Sequence, residues 1–245
     1  MEGRNGYRFF HPEMQGMTEF RLSMEQELHR AIQGQECTLH YQPQVVPEDR
    51  TVGLKALLRW QHPTMGTLGP DKYMDIAKET GLIVPLGRQI LRMACRQLQI
   101  CKAQGFQGTV NISAHQFRDP YFVKDMQDAL AETGIDPGSL LLEITESVFF
   151  EYLEERIEKM EDLCANGIHP PGDDFDTGYS SLTYLKRPPL YEIKIDRSFT
   201  RDAVSNDFSR AIIRIIVTIA EHLQMTVFAE GVETEDQHKT LIDLG

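Results

Sequence analysis

A chain of 245 residues is about the length one α/β barrel needs, and a formal charge of -12 argues against DNA, RNA or an anionic membrane as direct partner, since those select basic surfaces. Cys37, Cys95, Cys101 and Cys164 are widely spaced with no C-x-x-C, and they read as reduced, packed thiols of a cytoplasmic protein. No apolar run approaches the roughly 18 residues of a membrane span, which predicts no membrane contact for this segment.

Taken in order, residues 1–13 resemble the end of something upstream: Asn5-Gly6 is a hairpin-turn dipeptide and Tyr7 to Phe10 a short aromatic strand without a nearby partner. Residues 14–36 predict a linker helix, with Phe20, Leu22, Met24, Leu28 and Ile32 at roughly helical spacing and Gly34 as its stop. From residue 37 onward strand-like and helical runs alternate, the signature of a βα fold. Strands are expected at Thr38–Val45, Val52–Trp60, Thr109–Ser113, Leu140–Thr145, a poor one near Ile168, Glu192–Asp196 and Thr226–Glu230. Helices are expected at Asp71–Thr80, Leu86–Ala103, Tyr121–Thr133, Tyr152–Asn166, Asp207–Leu223 and Glu235–Leu244. The expected fold class is therefore α/β, a TIM-type (β/α)8-like barrel that stops before its last strand.

In such a barrel the chemistry sits at the carboxyl ends of the strands. Those ends carry Arg59, Asn111, Glu143 with Glu146, Asp173 with Asp174, Lys194 with Asp196, and Glu230 with Glu233. A strand end is often polar only because it nears solvent. Six ends dominated by hard oxygen donors read instead as a Mg²⁺ or Mn²⁺ site, and adjacent aspartates repel unless a cation or proton separates them.

The segments Tyr41-Gln42-Pro43, Leu54-Lys55-Ala56-Leu57-Leu58-Arg59-Trp60, Asn111-Ile112-Ser113, Leu142-Glu143-Ile144-Thr145-Glu146, Asp173-Asp174-Phe175, Lys194-Ile195-Asp196 and Ala229-Glu230-Gly231-Val232-Glu233-Thr234 resemble, in order and spacing, the EAL family of cyclic di-GMP phosphodiesterases. Residues 1–13 resemble the closing strand of a GGDEF diguanylate cyclase domain, so the chain looks like the C-terminal part of a GGDEF-EAL tandem protein with its barrel at 37–245. The resemblance implies two Mg²⁺ or Mn²⁺ ions that clamp one phosphodiester of cyclic di-GMP and activate water, with linear pGpG as product. It implies Asn111, Glu143, Asp173, Asp174 and Glu230 as ion ligands, with Lys194 positioning the water and Glu230 helping to take its proton. Gln42, Leu57 and Arg59 would hold the dinucleotide, Arg59 by a forked bond to phosphate. Glu146 would brace the loop after Asp173, while Asp196 and Glu233 would orient the ligands. The implied partners are cyclic di-GMP, the upstream GGDEF domain and a second copy in a homodimer.

The sequence departs from the family at four places. Its Glu-Ala-Leu tripeptide is here Lys55-Ala56-Leu57, which changes the local charge by two units where each is worth about 4 kcal/mol at ~4 Å. Lys55 either meets a phosphate itself or swings to solvent. Asp176 stands where the family has glycine, Pro170 and Pro171 interrupt the run before the aspartates, and Leu244-Gly245 end the chain before the family's final strand. The expected function is an EAL-type cyclic di-GMP signalling domain with impaired metal-dependent phosphodiesterase activity, acting as a binding or regulatory module. An active phosphodiesterase and a protein-interaction scaffold without nucleotide binding are the alternatives.

Overall fold

The computed structural model describes residues 12–48, 50–144, 153–168, 173–175 and 192–245. The expected strand at Tyr7–Phe10, and Glu146, Pro170, Pro171 and Asp176, lie outside the described residues. Helix α1 (Pro12–Gly34) packs on the domain through Met24, Leu28 and Ala31, whose spacing of four and three makes one stripe. Phe20 and Leu22, expected on its apolar face, are exposed. Leu22 lies two residues from Met24 and so falls on the other side of the helix. The stripe joins α1 to the same core as the first sheet, so this helix is part of the folded body.

The first sheet runs β1 (Cys37–Val45), β2 (Thr51–His62), β4 (Gln107–Ile112), β5 (Leu140–Ile144), with the short β3 (Gly66–Leu68) on β2. β1 pairs antiparallel to β2, because the few residues between them are too short for a crossover helix; β4 and β5 then add in parallel. The second sheet is parallel, β6 (Asp173–Phe175), β7 (Glu192–Ile195), β8 (Thr226–Ala229). Among the described residues no ladder joins the two sheets. Helices α2 (Met74–Glu79), α3 (Ile83–Ile100), α4 (Ala114–Arg118), α5 (Phe122–Thr133), α6 (Leu153–Ala165), α7 (Arg197–Asp202), α8 (Asp207–Leu223) and α9 (Glu235–Leu244) complete an α/β architecture of TIM-barrel type.

Strand alternation decides what each face does. Ala56, Leu58 and Trp60 of β2, with Val110 and Ile112 of β4 and Leu140 and Leu142 of β5, are buried against helices α1, α3 and α5. Ile193 and Ile195 of β7 pack with Ile213, Ile216 and Ala220 of α8 in a second cluster. The intervening residues, Lys55, Leu57 and Arg59 among them, therefore face the other way, toward the barrel interior.

Three expectations need correction. The poor strand near Ile168 is instead β6, at Asp173–Phe175. Ile168 closes α6: Gly167 adopts φ +77°, and Ile168 N–H donates to Leu163 O at 3.0 Å, a helix stop that buries the isoleucine. The helix expected at Asp71–Thr80 splits into a 3-10 turn at Pro70–Lys72 and α2, and α3 starts at Ile83 because Pro85 is tolerated in a first turn.

Candidate active site

The ladders bring the rim residues level. Asn111 is the Cα partner of Glu143 across β4 and β5, Asp174 that of Lys194 across β6 and β7, and Ile195 that of Ala229, directly before Glu230. Gln42 lies opposite Lys55 on β1, so Gln42, Lys55, Leu57 and Arg59 share one face. The side chains of Asp173 and Asp174 lie outside the described residues; their strand places their backbone beside Lys194. Glu230 is anchored by its backbone N–H, which donates to Ile195 O at 3.0 Å, and by the turn at Gly231. That glycine has φ +72°, and a Cβ there would come within 2.7 Å of Arg197 Cβ.

At the centre is Lys55. Its Nζ lies 2.9 Å from Glu143 Oε2 and 2.8 Å from Glu230 Oε1. Glu143 turns its other oxygen, Oε1, to Lys194 Nζ at 2.7 Å, an ion pair below the surface without a well-aligned hydrogen bond. Lys194 and Glu143 are both buried. Burial works against the Lys55 ammonium, but Glu143 and then Glu230 outweigh it and hold its pKa above the ordinary lysine value. Two ammonium groups thus meet two carboxylates. Of the two fates expected for Lys55, the swing to solvent is not taken: its side chain turns in to Glu143 and Glu230.

This arrangement does not fit a divalent ion between Glu143 and Glu230. Each carboxylate already faces an ammonium, and an ion touching both would sit beside the Lys55 charge, where like charges oppose binding.

The remaining expected residues divide. Arg59 turns back on its own strand, Nη1 donating to Leu58 O at 2.7 Å, so a fork to phosphate requires it to rotate. Asn111 and Gln42 are exposed and Leu57 half-buried, on surfaces a ligand can reach. Asp196 caps α7 by accepting from Ser198 N–H at 2.7 Å, and that hydrogen bonding holds its carboxyl below the usual range. Glu233 is exposed, and its backbone N–H donates to Gln237 Oε1 at the start of α9. Two lining residues escaped the motif reading. Thr109 Oγ1 donates to Gln44 Oε1 at 3.2 Å, beside Lys55 in the ladder; counting by twos from Asn111 places Thr109 on this face.

The EAL domain family model matches residues 25–245. The bifunctional diguanylate cyclase/cyclic di-GMP phosphodiesterase MucR of Pseudomonas aeruginosa is 39% identical over 248 residues, covering 100% of this chain and 36% of that protein. The cyclic di-GMP phosphodiesterase NbdA of the same organism is 38% identical over 96% of this chain and 30% of its own length. The chain therefore spans about a third of the length of these curated relatives, 36% and 30%. Among solved structures, the PaMucR phosphodiesterase in complex with c-di-GMP superposes with a TM-score of 0.83 at 38% identity, over 91% of this chain and 92% of that one. The Xanthomonas citri FimX EAL domain in complex with c-diGMP gives 0.85 at 25% identity, over 94% and 91%. With the motifs at its rim in the family's order and the matching model spanning nearly all of it, the chain belongs to the EAL family.

Proposed function

We propose that this chain is the EAL domain of a cyclic di-GMP signalling protein, and that it holds the dinucleotide while hydrolysing it poorly. One observation carries the impairment: the Lys55 ammonium stands between Glu143 and Glu230, two carboxylates that the family resemblance makes ion ligands. Without an ion shared by those two groups, the phosphodiester loses a Lewis acid and the attacking water loses its activator. Lys194, which would position that water, is drawn onto Glu143. Binding draws on different groups. Gln42, Leu57 and Arg59, which would hold the dinucleotide, lie on the Lys55 face. The two solved relatives hold c-di-GMP, which supports the same ligand here. In this reading residues 1–13 end a GGDEF domain, 14–36 connect it to the barrel, and the whole works in the cytoplasm as a dimer.

A second reading, an active phosphodiesterase releasing pGpG, is favoured by the phosphodiesterase relatives and by the meeting of Glu143, Lys194 and Glu230 at one rim. The two separate in one assay: purified protein with cyclic di-GMP and excess Mn²⁺ or Mg²⁺, pGpG followed by chromatography, beside a Lys55→Glu variant. The proposal expects turnover by the variant at least tenfold above the unmodified chain. Equal rates sink it.

A further inference from the structure

The ion pairs around Lys55 do more than fill a metal position. Lys55 is on β2 of the first sheet and Glu230 follows β8 of the second; Glu143 is on β5 of the first and Lys194 on β7 of the second. Backbone ladders tie strands within each sheet, and none joins the sheets among the described residues. Two side-chain ion pairs cross the rim between the sheets, Lys55 to Glu230 and Lys194 to Glu143, with Lys55 to Glu143 closing the chain of charges at 2.9 Å. The four formal charges sum to zero, and three of the four side chains are at least four-fifths buried. A buried carboxylate held by two ammonium groups has its partners already, and a divalent ion between Glu143 and Glu230 would have to sit against the Lys55 charge.

We infer that Lys55 is the resident cation of this rim: its ammonium replaces a divalent ion as the charge partner of Glu143 and Glu230 and as a tie between the two sheets. The domain is then complete at this position without metal, and removing the lysine creates an ion site. The inference rests on the same reading of the rim as the cyclic di-GMP site, yet it concerns the free protein and is tested without nucleotide.

The test uses the full chain, Lys55→Met and Lys55→Glu. Bound Mn²⁺ is counted by electron paramagnetic resonance titration, and thermal unfolding is followed in Mn²⁺ and in EDTA. The expected result is that both variants bind one more Mn²⁺ per chain than the unmodified protein. In EDTA both should melt several degrees lower, and Mn²⁺ should restore much of that loss while raising the unmodified chain's Tm less. An equal ion count in all three, or an equal rise in Tm with Mn²⁺, overturns the inference. Should Lys55→Met fail to fold, the ion count of Lys55→Glu prepared in Mn²⁺ decides alone, since one extra ion supports the inference and an equal count refutes it. Failure of the unmodified chain to bind cyclic di-GMP would sink the proposed function and leave these counts unchanged.

Discussion

Glu143 divides its two oxygens between Lys55 and Lys194, and its side chain is only 9% exposed, so the two lysines should depend on one another energetically. Replacing either by methionine keeps much of the volume and leaves the carboxylate with one ammonium. Breaking a buried pair outright costs about 3–5 kcal/mol, and the retained lysine should offset most of it, so each single change is expected to cost about 1 kcal/mol. Glu230, more exposed, loses little when Lys55 goes because water screens it. Removing both lysines strands a buried charge, and the loss should exceed the sum of the singles by about 2 kcal/mol, within the range known for shared partners. Urea unfolding of the unmodified chain, both singles and the double variant measures this, provided the slope with denaturant stays constant. Adding Glu143→Gln to the double variant should recover part of the loss, because an amide carries no charge to strand. Additivity within about 0.5 kcal/mol would refute the shared-carboxylate account.

Other consequences lie away from the rim. His62 Nδ1 accepts from Thr64 and Met65 N–H, each at 3.2 Å, so Nε2 carries the proton and donates to Glu27 on α1. Glu27→Ala should strand that buried N–H at a cost of about 1–3 kcal/mol, read as a lower Tm, while Glu27→Gln keeps an acceptor and most of the stability. A Cβ at Gly87 would meet Gln116 Nε2 at 1.8 Å, and Gln116 caps α4 just after Asn111. Gly87→Ala should therefore cost about 1–3 kcal/mol by overpacking and weaken cyclic di-GMP binding in calorimetry. Burial pushes the Cys37 and Cys95 thiols up to about 11. Unfolded thiols ionise near ~8.5, so the contribution of these residues is fully present below that value and is lost as pH climbs toward about 11. Denaturant midpoints should fall across this window, and less so in a Cys37→Ala/Cys95→Ala variant.

Much of the fold was legible because its signals are local. The period-two pattern of β2 and the 3.6-residue pattern of α8 each survive within a few residues of their expected bounds. β6 is hidden from a sequence reading for a physical reason: its three residues, Asp173, Asp174 and Phe175, offer no apolar run, while Ile168 supplies one buried side chain at a helix stop. The rim residues could be named from strand ends. What could not be read was the company of Lys55, since Glu230 lies 175 residues away and in the other sheet. A cation where a carboxylate is expected announces a change of chemistry; only the fold says which carboxylates it meets.

The central claim, a domain that holds cyclic di-GMP without a metal shared by Glu143 and Glu230, is met most directly by calorimetric titration of the unmodified chain with cyclic di-GMP in EDTA and again in Mn²⁺. Saturable heat is expected in EDTA, with an affinity within about threefold of that in Mn²⁺, a difference of about 0.7 kcal/mol or less. Heat that appears only with Mn²⁺, or none in either buffer, would contradict it.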